Sequence, residues 1–576
     1  TSELTIQNSL GTLPALRLIN EASNNTIKYC KLESNNNSAT ATATAGVILF
    51  GNTTGANGND NNLIDYCDIG NLSGGNPVAA IHSLGSTGTV AQNNENNTIS
   101  NSNIRDFFSA TIATAGIYVG AGNGNWTITN NHLYQTATRT YTGAVTHRAL
   151  WITPNTGSLT SASGFNISDN YIGGNASNGS GLYTMNGTVA YVFMGMDISV
   201  GVGAATNLQG NTITNMDITS ANGSSGACLG ISIANGNVNC GTTTGNIIGS
   251  TTTNGAITFT TTTTLGGIIG IRFSAGSSCN ISNNIISGIN LIGNATTVAN
   301  SFNGINYSGG TSCIINNNTV GSATLTNSIN LISTSATSTS ASACRGIVAN
   351  TSAANATITN NLVANLNTTY SATGTQAATL IGIAANTGTN IISGNTIYNL
   401  TSNSQTSGTG LNCAIMGIQY SSTTAPATIS NNTIHTLKLT NAATVAATQV
   451  EGIYYAGPTT GTANIIERNF IHSLSIGSTT NSIAVLTGIE LLSGIVTTSN
   501  NMIRLGIDDN GTDITAPCII RGISESGATS SIFHNTVYLG GNVIGTVASN
   551  TFAYQRTATT NADDVRNNIF VNNRSN

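Results

Sequence analysis

Short runs in which apolar and polar residues alternate recur along the whole chain, and no apolar stripe of helical period persists anywhere. Three such runs follow one another in a fixed order. The first opens on Gly-Ile, as in Gly116-Ile117-Tyr118-Val119 or Gly452-Ile453-Tyr454-Tyr455. A turn rich in Gly and Asn follows, such as Gly122-Asn123-Gly124-Asn125, then a second run, Trp126-Thr127-Ile128-Thr129. An Asn pair ends it and a third run begins, His132-Leu133-Tyr134. Alternation over so few residues, bounded by Gly, Asn and Ser, predicts short strands and almost no helix.

The third run carries the clearest repeat. It is anchored on an Asn two residues before Ile, Leu, Val or Phe: Asn25, Asn62, Asn97, Asn131, Asn170, Asn211, Asn246, Asn284, Asn318, Asn361, Asn395, Asn432, Asn469, Asn501, Asn535 and Asn568. Sixteen anchors over 568 − 25 = 543 residues give a period of 543/15, about 36 residues. From Gly-Ile to anchor the offset is nearly constant: 131 − 116 = 15, 318 − 304 = 14, 432 − 417 = 15 and 469 − 452 = 17. Three strands per repeat of this length predict an all-β fold, a right-handed parallel β-helix of about 16 coils, as one domain over 1–576. Coils stacked ~4.8 Å apart would make a rod of roughly 75 Å. Leu16-Arg17-Leu18-Ile19 occupies the Gly-Ile slot of a first coil, and the last residues stop inside another, so both ends are expected to be uncapped. That expectation implies end-to-end self-association or further segments of a longer chain.

The anchor has a physical reason. A sharp bend between the second and third strands needs a left-handed backbone, which Asn tolerates. Stacked coils also place one amide above another, so Asn97, Asn131, Asn211, Asn284, Asn318, Asn395 and Asn432 are expected to form a hydrogen-bonded structural ladder. The tracts Thr40–Ala45 and Ser333–Ala341, which lead into Gly-Ile, read either as extended strand or as surface loop.

Composition narrows the function. Charged residues are 6% of the chain, net charge is −5, and lysine occurs only at Lys28, Lys31 and Lys438. A nucleic-acid partner, which needs a basic stripe, is not expected. No apolar run is long enough for a membrane-spanning helix. Nine cysteines cannot all pair within one chain. They read mainly as buried thiols, with Cys228 and Cys240 as the pair to consider for a disulfide. No zinc spacing occurs.

Three residues after the anchor the side chain should point outward. In the later coils this position reads Tyr398, His435, His472, Arg504 and Tyr538, a stripe suited to stacking on sugar rings or meeting a partner protein. Asp508, Asp509 and Asp513 form the densest acidic group, in a Gly-containing loop able to offer oxygens to Ca2+, although the full calcium-loop pattern is absent. Glu451, Glu467 and Glu490 lie in neighbouring coils but in different slots, so no common face is implied for the carboxylate pair that glycoside hydrolysis needs.

The Gly-Ile and Asn-Asn-x-Ile phrases resemble the pectate-lyase-like family of right-handed parallel β-helices, over nearly the whole chain. Pectinases of that fold carry Asn-Thr-Asp, Asp-Asp, Gly-His-Gly and Arg-Ile-Lys motifs. Here only Asp-Asp occurs, at Asp508-Asp509 and Asp563-Asp564, so the resemblance assigns no catalytic residue. The repeat is most similar to the long Asn/Thr-rich β-helix surface proteins of bacteria with type IX secretion. That resemblance implies a secreted, extracellular or cell-surface structural protein, the rod of an adhesin or filament without a cofactor. The alternative is a β-helix that binds or degrades polysaccharide, with glycans or a cell-surface protein as partner.

Overall fold

The computed structural model describes residues 4–154, 162–262, 265–293, 299–333, 343–350, 355–370, 379–386, 388–404, 413–424, 426–441, 447–478, 480–544, 550–559 and 562–575. The chain is an all-β parallel solenoid with a repeat of about 35 residues and three strand faces. The only helical turn among the described residues is the short 3-10 segment Val90–Gln92. By internal contacts the chain forms two compact units. One comprises Thr1–Ser250, Gly255–Thr262 and Gly266–Ile289; the other comprises Thr251–Asn254, Thr263–Leu265 and Asn290–Asn576.

In the first unit the predicted Gly-Ile strands stack in parallel register. Leu16–Leu18 pairs with Ile48–Phe50, which confirms the first-coil assignment. Ile48, Ile81, Ile117, Leu150, Met196 and Ile231 then lie one above another, all buried. The second unit repeats the arrangement with Ile305, Ile347, Ile383, Ile418, Ile453, Ile489 and Ile523. One such strand has little to bury itself against; the column closes only by stacking on its neighbours. The tract Thr40–Ala45 forms turns, not a strand. Of the tract Ser333–Ala341, residues 334–341 lie outside the described residues.

The glycine of Gly-Ile is required by the core. A Cβ on Gly452 would sit 2.5 Å from the Gly488 carbonyl oxygen and 2.6 Å from Ile471 Cγ2. Gly382 and Gly488 meet the same pair of neighbours in their own coils, a carbonyl at 2.5 Å and the Cγ2 of Ile397 or Ile503. The space a side chain would fill is taken by the third-strand isoleucine, so the two phrases of the repeat are two halves of one contact.

The asparagine ladder forms, with a correction. In the second unit each ladder Asn donates both its main-chain N–H and its Nδ2 to Oδ1 of the next, from Asn318 through Asn361, Asn395, Asn432, Asn469, Asn501 and Asn535 to Asn568, at 2.8–3.0 Å. The intervals run from 32 to 43 residues, so loops absorb the variation while the ladder stays in register. The first unit runs likewise from Asn131 through Asn170, Asn211 and Asn246 to Asn284. Asn97, however, is not on that ladder. Asn25, Asn62 and Asn97 form a separate ladder at the bend before the second strand. The rungs that align with Asn131 are Ser102, whose N–H donates to Asn131 Oδ1, and Cys67, whose N–H donates to Ser102 Oγ.

The left-handed backbone also belongs to a different residue from the one expected. It sits just before the ladder Asn: Asn130 at φ 53°, Asn360 at 56°, Asn431 at 56°, Arg468 at 55° and His534 at 57°. Bending and laddering are thus divided between the two members of the pair.

Candidate functional site

The outward stripe is assembled in the second unit as predicted. Tyr398, His435, His472, Arg504 and Tyr538 are consecutive partners in parallel register. The Tyr398 and His435 rings stack at 4.9 Å and 2°, and the two imidazoles at 4.8 Å and 1°. Rotamers are fixed from below: His435 Nδ1 lies 2.9 Å from Thr436 Oγ1 and His472 Nδ1 lies 2.9 Å from Ser473 Oγ. Those two hydroxyl residues hold positive φ, so a local kink aims each hydroxyl at its ring. Burial lowers the pKa of both imidazoles. For His472 it falls to about 4, with His435 and Arg504 adding to the effect. At neutral pH the column is therefore uncharged as far as Arg504. Arg504 donates to Ser473 Oγ at 3.3 Å, its Nε has no hydrogen-bond partner, and no carboxylate pairs with it among the described residues.

Beside the column lies a cavity of about 360 Å³ bordered by Lys438, Ser475, Gly477, Asp508, Asp513 and Thr515. The acidic loop forms its outer wall. Asp508 accepts from the N–H groups of Asn510 and Thr512, Asp509 pairs with Lys438 at 3.0 Å, and Asp513 accepts from Asn542. Each carboxylate thus has its own separate partner, and no group of three or more metal-ligating side chains gathers among the described residues.

The remaining predicted groups are placed as follows. All nine cysteines are buried free thiols, so Cys228 and Cys240 are not a disulfide; burial raises the Cys228 pKa to about 12. Contrary to the reading from their slots, Glu451 and Glu490 do share one face, that of the Gly-Ile strands, with Glu451 in register with Thr487, three residues before Glu490. Glu467 sits on another face beside Arg468. Glu451 is only 2% exposed, next to a small second core of Ile381, Cys413, Met416 and Tyr454, and burial pushes its carboxyl well up. It is covered, and a polymer substrate does not reach it.

Sequence reasoning missed a second site, in the first unit. At the bend where later rungs place Asn101 and Asn130, two rungs carry Tyr29 and Tyr66, at φ 56° and 51°. A left-handed tyrosine costs about 1–2 kcal/mol relative to the right-handed form, and strained residues of this kind concentrate at functional sites. The two rings stack at 5.3 Å and 16° and stay 54% and 50% exposed. They border a cavity of about 390 Å³. The signal was present in the sequence: Tyr-Cys at 29–30 and 66–67 stands where the repeat places Asn-Asn.

No family model matches the chain, and no curated protein is similar to it.

Proposed function

We propose that this protein is a structural segment of an extracellular, cell-surface adhesin or filament, and that its mechanism is mechanical. The observation that carries the reading is the internal amide ladder, unbroken over eight asparagines from Asn318 to Asn568 and over five from Asn131 to Asn284, every step made by two hydrogen bonds. Such repetition resists bending and fraying, because each rung is held by the rungs on either side. Composition supports an exposed life: only 15 Lys and Arg residues in 576 leave few sites for basic-specific proteases. Export by a type IX route is part of the proposal and rests on the style of the repeat alone.

The test is localisation and imaging in the native source. Antibody labelling of intact cells, with electron microscopy of the surface material, should find the protein in ordered fibres or stalks. Recovery solely from the soluble cell interior would overturn the reading.

A further inference from the structure

We propose that the Tyr29–Tyr66 corner of the first unit is a carbohydrate-binding site that takes a neutral pyranose. The inference goes beyond the structural role and does not depend on it, because it concerns the isolated chain in solution. Two observations carry it independently: backbone strain and open polar groups.

The strain comes first. Neither tyrosine is needed to make the bend, since Asn makes the same bend at Asn101, Asn130, Asn317, Asn360 and Asn431. Nor do the rings fill a core, since half of each is in solvent. Two aromatic side chains held in an unfavourable backbone, in adjacent rungs and in mutual contact, have their explanation in what they present outward.

The cavity beside them supplies the rest. Its 390 Å³ are bordered by Tyr29, Tyr66, Asp68, Asn103, Tyr134 and Ser177, within the ordinary size of small-ligand sites. Asp68 spends Oδ1 on Arg105 Nε at 3.0 Å, and its other oxygen remains available as an acceptor. The Asn103 amide and the hydroxyls of Tyr29, Tyr66 and Tyr134 have no hydrogen-bond partner among the described residues. Burial raises the Tyr134 hydroxyl to about 12, so it is a neutral donor. A wall of aromatic surface with several convergent donors and acceptors matches a ring that carries C–H groups on its faces and hydroxyls on its rim.

Charge selects the neutral class. Lys28 is paired with Asp65 at 2.7 Å, and Arg105 is shared among Glu33, Asp68 and Asp106. Lys31 likewise pairs with Glu33 and Arg139 with Asp106, so among the described residues every cation and carboxylate of this network is paired, and the cavity offers a uronate, sulfated sugar or phosphate no free cation to bind.

The structure also supplies a clean test. Tyr29→Asn and Tyr66→Asn install the residue that other rungs carry at this bend, so the double variant should fold and be at least as stable. The full chain is titrated by calorimetry with hexasaccharides of glucose, mannose and galactose in α and β linkage, and with polygalacturonate and ATP as anionic and aromatic comparators. At least one neutral hexasaccharide should bind, and the double variant should weaken it more than about tenfold. Thr428→Ala, at a half-buried position on a second strand of the other unit, should leave it unchanged. The proposal is overturned if no neutral sugar binds, if the double variant binds as well as the parent, or if only the anionic or aromatic comparators bind at this corner.

Discussion

Asn432→Ala removes one rung of the ladder while leaving the apolar core intact. The side chain makes four hydrogen bonds. Nδ2 donates to the Ile392 carbonyl and to Asn469 Oδ1, both at 2.9 Å; Oδ1 accepts from Asn395 N–H and Nδ2, both at 3.0 Å. Truncation leaves the Asn395 main-chain N–H buried without its acceptor, at about 1–3 kcal/mol, and loses the net worth of the remaining bonds, about 1 kcal/mol each. The expected local cost is about 4–6 kcal/mol. Because coils interact only with their neighbours, the loss should stay local. Native-state hydrogen exchange by mass spectrometry reads it directly: peptides across 392–397 and 432–437 should lose protection, while those near Asn131 should not. Thr433→Ala, on the half-buried outward position next in sequence, serves as control and should shift stability by no more than about 0.5 kcal/mol. Asn432→Asp sharpens the test. It turns the two-bond donor into a carboxylate facing two acceptors, so its folded pKa must lie above the unfolded value of about 4. Stability is then greatest below that value and is lost as pH rises through the folded pKa. Unchanged protection around Asn395 in the alanine variant would refute the ladder as a source of stability.

Further outcomes follow from the same structure. Gly452→Ala should lower the denaturation midpoint, at a cost of about 1–3 kcal/mol from overpacking against Gly488 and Ile471; an unmoved midpoint rejects the close-contact account. His147 is wholly buried between Thr114 Oγ1 and the Tyr183 hydroxyl, each at 2.6 Å, and burial lowers its pKa to about 3. The unfolded chain takes up that proton first, so stability is full above about pH 6.5 and falls as pH drops toward 3. Urea midpoints across that range should slope less steeply in His147→Gln, and equal slopes would exclude His147 as the source. Nine thiols should resist a thiol reagent in the native protein and react after denaturation; rapid native labelling, or a thiol count below nine on unfolding, would contradict their burial as free thiols.

The strand order, the Gly-Ile core and the outward stripe were all legible because each is forced once per coil by the same packing. His435 could be placed beside His472 from spacing alone, since parallel register converts equal offsets into neighbours. The first three anchors stand at the other corner of the coil for a physical reason. Both bends of an early coil use a left-handed residue followed by a laddering residue, as in Asn61-Asn62 and Tyr66-Cys67. They therefore write nearly the same phrase, and the Asn-rich version was the one at the other corner. What covers Glu451 was not legible, because the outward position before each glycine looks solvent-facing until the small second core around Met416 is seen. Tyr29 and Tyr66 are hard to read from the sequence because they break the repeat, although a break that costs backbone energy points to function.

The ladder also has a direction. Every step, from Asn131 to Asn170 and from Asn535 to Asn568, donates from the earlier rung to the later one. The amide dipoles of a unit therefore add along its axis, a vectorial field that β-sheets, with small net dipoles, ordinarily lack. A cut through the Asn–Asn bonds leaves N–H donors on the earlier rung and an Oδ1 acceptor on the later one. Any coil that continues the series, from this chain or from a second copy, must arrive in the same sense. An end-to-end contact made through the ladder would have to be head-to-tail, since a two-fold head-to-head junction through it is chemically mismatched.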